Sequence, residues 1–202
     1  MKIGIISGSH RQNSQSSKIA HYFERQIESK GKESWIFELA GNPLPLWDEQ
    51  VWEKSEHWES LLNPIRGELA SCDGFIIISP EWHGQVPAGL KNFFLLFGKN
   101  ELGHKAALLT AVSAGSGGAY PIAELRMSSY KNNRICYIPE HLIIRDVEKV
   151  LNEKSEDNDQ RSDTFYRERI NWTLDILFEY TSALSKVRNS GVIDTDKFNN
   201  GM

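Results

Sequence analysis

Two cysteines, Cys72 and Cys136, are all that this chain of 202 residues carries. They stand far apart without C-x-x-C spacing, which excludes a disulfide framework and a thiol redox pair and leaves reduced structural thiols. The six histidines, His10, His21, His57, His83, His104 and His141, form neither H-x-x-x-H nor H-E-x-x-H, so no metal site is expected. No run approaches the ~20 apolar residues of a membrane span, and no charged leader precedes a long apolar segment. A cytoplasmic location and no membrane partner are the expectation. Positive charge is short as well: 23 Lys and Arg against 27 Asp and Glu give a net charge of -4, and no basic patch offers itself to a nucleic-acid backbone. What is present is the composition of an ordinary globule, 40% apolar and 25% charged, long enough for one full core and without internal repeats.

Along the chain, short apolar runs alternate with helical patterns. Ile3, Ile5 and Ile6 make a first strand, and a helix carrying Ile19, Ala20, Tyr22 and Phe23 follows and ends near Gly31. Ser34 to Leu39 reads as the second strand. Gly41, Pro43 and Pro45 then enforce a loop, after which Trp58, Leu61, Leu62 and Ile65 fit a helix packed on the sheet. Trp47 and Trp52 precede that pattern and fit core, the rim of a flat ligand, or a subunit contact. Phe75 to Ser79 is the strongest strand, and its unbroken apolar run is that of a strand covered on both faces. Beyond the fourth strand and its Ser113–Gly118 loop come a helix with Ile122, Leu125 and Met127 and a fifth strand from Arg134 to Ile144. Leu151 to Asp163 is polar without apolar period and is expected as an exposed or partly disordered loop. A last helix spans Thr164 to Lys186. One domain over residues 1–188 and a flexible tail over 189–202 are predicted.

Chemistry concentrates in two loops. The first follows Gly8 and holds Ser9, Arg11, Ser14, Ser16 and Ser17 at the start of a helix. Helix N-termini carry unpaired N–H groups and partial positive charge, hydroxyls donate, and an arginine grips two phosphate oxygens at once. Neither G-x-G-x-x-G nor G-x-x-x-x-G-K-[ST] is present, so the socket suits a terminal monophosphate better than a bridging pyrophosphate. An ordinary strand-to-helix loop with capping serines fits these residues equally well. The second loop, Pro80-Glu81-Trp82-His83-Gly84, follows the strongest strand. In a parallel sheet of order 2-1-3-4-5 the first and third strands flank the point where strand order reverses, so the two loops lie side by side where ligands bind.

These stretches resemble the NADPH-dependent FMN reductase family. GSHRQNSQS is similar to its G-S-x-R-x-x-S loop and PEWHGQVPAGLKN to its P-E-Y-N-x-x-x-P-x-x-L-K-N segment. LPLWD resembles L-P-L-x-x-x-D with Asp48 a position early, and SAGSGG resembles S-x-G-x-x-G-G. The four matches fall in the family's order, up to about Arg126. The resemblance implies an α/β, flavodoxin-like three-layer sandwich that binds FMN, takes electrons from NADPH or NADH, and assembles as a homodimer or homotetramer. It assigns Ser9, Arg11, Ser14 and Ser16 to the phosphate, Pro80, Glu81, Trp82, His83 and Gly84 to the isoalloxazine, and Ser113, Gly115 and Gly117 to a cradle near the ring. Trp82 replaces the usual Tyr, His83 the usual Asn, and Leu95-Leu96 the common Asp-Trp. The flavin carries the chemistry, so no catalytic acid or base is expected. Ping-pong hydride transfer to N5, and on to a quinone, azo compound, flavin or similar small acceptor, is the implied reaction. An electron carrier that does not oxidise pyridine nucleotide is the alternative, weakened by the modest acidity and by Arg11. A redox-inactive regulator or scaffold is the third reading.

Overall fold

The computed structural model describes residues 1–201. Five parallel strands, β1 (Lys2–Ser7), β2 (Glu33–Glu38), β3 (Gly74–Pro80), β4 (Ala106–Val112) and β5 (Cys136–Ile144), form one sheet of order β2-β1-β3-β4-β5. This is the order expected. Helices α1 (Gln15–Ser29), α2 (Gln50–Glu53), α3 (Glu56–Ser71), α4 (Ala88–Leu96), α5 (Lys99–Leu102), α6 (Ala119–Met127) and α7 (Gln160–Asn189) complete the sandwich.

Strand periodicity divides the core in two, since alternate side chains leave a strand on opposite faces. Ile3, Ile5, Ile76, Ile78 and Leu108 pack with Ile19 and Phe23 of α1 and Ile170, Leu174 and Leu177 of α7. Ile6, Phe75, Ile77 and Leu109 meet Trp58 and Leu62 of α3, Phe93 of α4 and Leu125 of α6 on the other face. The central strands β3 and β4 are buried along their whole length, as the FIIIS run requires. Trp58 belongs to this core.

Two expected boundaries move. The stretch from Leu151 to Asp163 is neither wholly exposed nor structureless: Leu151 is buried, its N–H donates to Asp163 Oδ1 at 2.7 Å, and Asn152 N–H donates to Asn158 Oδ1 at 2.9 Å. Asp159 then caps the last helix by accepting from Ser162 N–H at 2.9 Å, so α7 begins four residues before Thr164. Beyond α7 the tail turns back, and Lys99 Nζ donates to Thr195 O at 2.8 Å and to Asn199 Oδ1 at 2.6 Å.

Two lysines held in the protein interior, Lys18 and Lys105, make stability depend on pH. Lys105 stands at the foot of β4, and its Nζ donates to Leu69 O at 2.9 Å and Ala70 O at 3.0 Å, closing the C-terminal end of α3. Burial pushes its pKa down from 10.5 to about 8. Between those values the unfolded chain binds the proton more tightly than the folded one, so stability rises with pH above 8. Cys72 opposes this from pH 9 upward, because burial raises its thiol from 9.0 to about 11. Lys18, whose pKa burial also lowers from 10.5 to about 8, adds a rise of the same sign, so the Lys105 share is read from the variant between pH 8 and 9. Urea midpoints there are expected to rise with a Lys105 contribution of about 1 kcal/mol, and Lys105→Met is expected to reduce the slope without abolishing it. An identical slope in the variant would refute the assignment.

Candidate functional site

Gly8 sets the geometry of the first loop. Its N–H donates to Ile78 O at 2.8 Å, and a Cβ there would stand 2.7 Å from that same carbonyl oxygen and 2.7 Å from Leu90 Cδ2. Only glycine lets the end of β1 lie so close to β3. The chain then turns through Asn13, at φ 49°, into Ser14, which caps α1 by accepting from Ser17 N–H at 3.0 Å. Arg11 N–H donates to Ser9 Oγ at 3.3 Å, leaving the exposed guanidinium at the lip of the loop.

The second loop is a tight hairpin. Trp82 N–H donates to Gln85 O at 3.2 Å and Gln85 N–H donates to Trp82 O at 3.0 Å, with His83 at φ 51° and Gly84 at φ 71° between them. Two central residues at positive φ define a type I′ turn, the conformation that Asn-Gly favours. Histidine shares with asparagine an enhanced tolerance of this region, so His83 fits the position on backbone grounds. Trp82 is supported from the first loop: the His10 ring meets it edge-on at 5.6 Å and 83°. His10 in turn needs Gly89, where any Cβ would stand 1.9 Å from its Nε2.

Glu81 joins this hairpin to the third loop. Its Oε2 accepts from Gly118 N–H at 2.5 Å, and a Cβ at Gly117 would meet Oε1 at 2.8 Å. The segment expected along the ring and the cradle expected near it are thus joined through Glu81 and Gly118. Gly115 has open space about its Cα and is held through its carbonyl, which accepts from Asp146 N–H at 3.1 Å. Ser113 Oγ accepts from Gly115 N–H at 3.3 Å.

The two main loops enclose a cavity of about 180 Å³ lined by Ser9, Arg11, Ser14, Ser16, Pro80, Glu81 and Trp82. Seven of the twelve expected residues therefore line one cavity. His83, Gly84, Ser113, Gly115 and Gly117 stand outside it. Asn13, Gln15, Ala114, Val147 and Glu148 line the cavity without having been singled out. For Val147 and Glu148 no sequence signal existed, since they reach the site from the far end of β5. The chemistry of the lining fits a phosphate. Ser16 Oγ is buried without a hydrogen-bond partner in the protein, and its hydroxyl can donate to a phosphate oxygen. Serine hydroxyls, an arginine and the N-terminus of α1 supply donors to match.

A second, larger cavity of about 760 Å³ lies between α4, α6 and the loop before α2. Trp47 and Trp52 line it as an edge-on pair 4.7 Å apart, alongside Phe94 and Leu95. Asn92 fixes that wall, accepting from Trp47 N–H at 2.8 Å and donating to Pro45 O at 2.8 Å. Its lined surface is mostly apolar, and several of its polar groups are already engaged within the protein, Lys91 with Glu124, Ser128 with Glu124 O and Asn133 with Ser129 O, so the smaller cavity with its unpartnered serine is the candidate site. Among the described residues no cluster of His, Cys, Asp and Glu could hold a metal ion, and no helix is long and apolar enough to cross a membrane.

The NADPH azoreductase of Bacillus sp. (strain OY1-2) is 27% identical over 118 residues, which make up 58% of this chain and 62% of that protein. The chain thus spans less than two thirds of that relative's length. A 2-hydroxy-1,4-benzoquinone reductase of Burkholderia sp. is 24% identical over 184 residues, 87% of this chain and 97% of the relative. Among solved structures, the flavoenzyme NAD(P)H:(acceptor) oxidoreductase FerB of Paracoccus denitrificans superposes with a TM-score of 0.71 at 17% identity, over 90% of this chain and 97% of FerB. That likeness establishes the flavodoxin-like fold. The family described as NADPH-dependent FMN reductase matches residues 1–148, a stretch that contains every loop of the cavity, and the chain belongs to that family.

Proposed function

We propose that the chain is an NAD(P)H-dependent oxidoreductase that holds FMN across the β1–α1 and β3–α4 loops and reduces a small acceptor such as a quinone, azo compound or free flavin. The observation that carries this reading is the buried, partnerless Ser16 hydroxyl at the start of α1, with Arg11 and Trp82 lining the same cavity. Bound FMN would supply hydride acceptance and donation. In this reading Ser9, Ser14, Ser16 and Arg11 hold the phosphate, the Pro80–Gly84 hairpin lies along the ring, and Glu81 keeps the Ser113–Gly118 loop at the ring's edge. Donor and acceptor use the same open face in turn. The relatives named for azo and quinone substrates support a small-molecule acceptor.

We further propose a homodimer or homotetramer, supported by Trp52 and Leu95, which line the larger cavity at 75% and 66% exposure. Large apolar side chains grouped at that exposure mark contact surfaces. A cytoplasmic location accords with free Cys72 and Cys136.

The test is spectroscopic. The protein is incubated with FMN, desalted, and mixed anaerobically with NADPH. Retained yellow colour that bleaches is expected, followed by parallel double-reciprocal lines when a quinone is the acceptor. Colour that persists would favour an electron carrier, and intersecting lines would replace the shared face with a ternary complex.

A further inference from the structure

Ser9 and Arg11 line the cofactor cavity, and His10 between them turns the other way, onto the first turn of α4. We propose that His10 is a positioning residue that sets the angle of Trp82, and through that indole the seat of the flavin ring, with Gly89 supplying the space that His10 needs. The proposal rests on the reading of the cavity as an FMN site.

Trp82 is a point at which this chain departs from the family pattern, with an indole in place of a phenol. The hydrogen bonds between Trp82 and Gln85, one in each direction, fix the hairpin's backbone and leave the side-chain torsions to packing. His10 supplies that packing from the first loop. Its ring meets the indole edge-on, 5.6 Å between centroids and 83° between planes, one of the arrangements that aromatic quadrupoles favour.

His10 is itself held at two points. Its carbonyl accepts from Gly41 N–H at 3.2 Å, which ties its backbone to the loop after β2. Its ring lies on Gly89, where a Cβ would stand 1.9 Å from Nε2, 2.8 Å from Cε1 and 2.9 Å from Cδ2. The imidazole therefore occupies the volume that any side chain at position 89 would need. Gly89 has no backbone reason to be glycine, since it is the second residue of α4 and does not stand at positive φ. Alanine is the better helix former at such a place. What the glycine provides is room for His10.

Two loops and a helix are thus interlocked through residues 10, 82 and 89, and of these only Trp82 lines the cavity. His10 acts on the cofactor through that indole, without touching the flavin and without carrying a proton.

The experiment is a titration of the full chain with FMN and riboflavin, with the reduction potential of bound FMN measured alongside. The proteins compared are the native chain, His10→Ala, His10→Phe, His10→Gln, Gly89→Ala and the double variant His10→Ala with Gly89→Ala. His10→Ala and Gly89→Ala are each expected to weaken both flavins by roughly two- to tenfold, the worth of one aromatic pair, and to shift the potential in the same direction. Lost folding alone would not move the potential of the flavin that stays bound. The double variant is expected to bind no more weakly than either single one, because the three atoms nearest the new methyl all belong to the imidazole that is gone. His10→Phe keeps a ring against Trp82 and is expected to bind within about twofold of the native protein, whereas His10→Gln is expected to resemble alanine. Losses that multiply in the double variant, glutamine serving as well as phenylalanine, or a native potential in both single variants would overturn the proposal. Failure of the native protein to bind either flavin would instead overturn the FMN reading beneath it.

Discussion

Arg11→Ala is expected to weaken FMN binding by about 1.5–3 kcal/mol, roughly ten- to 150-fold in Kd, the worth of a hydrogen bond to a charged group. The guanidinium is exposed at the lip of the cavity, and it is the backbone N–H of Arg11 that makes the loop's own contact to Ser9. Truncation therefore removes a ligand contact without loosening the loop, and thermal stability is expected to stay within about 0.5 kcal/mol of the native value. Riboflavin provides the internal control, because it shares the ring but lacks the phosphate. Its affinity is expected to be unchanged. Titrations of the two flavins against native and variant protein decide the matter: unchanged FMN affinity would place the phosphate away from Arg11, and equal losses for both flavins would make Arg11 a ring contact.

Much of this site was legible in the sequence because its determinants are local. Ile3, Ile5 and Ile6 before Gly8, and FIIIS before Pro80, mark two strands by apolarity and end them at residues that cannot continue. Once strand order is fixed at β2-β1-β3-β4-β5, the loops after β1 and β3 must be neighbours. What escaped the sequence depends on contacts between distant residues. Leu151 to Asp163 looks unstructured because it has no apolar period, yet Asp163 accepts from the Leu151 N–H, and Lys18 donates to the Asn152 side chain and to Val150 O just ahead of the stretch. Val147 and Glu148 enter the site for the same reason. His10 was visible only as a polar loop residue, and its packing between Trp82 and Gly89 is tertiary. Trp47 and Trp52 were separable from Trp58 by their place ahead of the helical pattern, and they do line a cavity, though not the one with phosphate chemistry.

Glu81, expected in the segment that runs along the ring, has a backbone partner in the structure, and its substitution carries the second large effect. Here Oε2 is already engaged by Gly118 N–H at 2.5 Å, across 37 positions of sequence. The loop that carries Gly118 is held from the β5 side through Gly115 O and through Gly117 O, which accepts from Arg145 Nε at 2.9 Å. From the hairpin side Glu81 is its brace. Glu81→Ala strands the Gly118 N–H, a loss of about 1–3 kcal/mol in stability, and frees the loop to move off the ring. FMN affinity is expected to fall by at least tenfold, and riboflavin affinity with it, because the displaced loop borders the ring. That parallel loss separates Glu81 from Arg11, whose removal touches only the phosphorylated flavin. Glu81→Gln keeps an oxygen that can accept from Gly118 and is expected to retain native stability and flavin affinity within about threefold. If glutamine were as damaging as alanine, the negative charge itself would be acting on the ring, and the brace would give way to a direct electrostatic role that a shift in the bound flavin's reduction potential would report. If alanine were as harmless as glutamine, the bond to Gly118 would hold nothing in place.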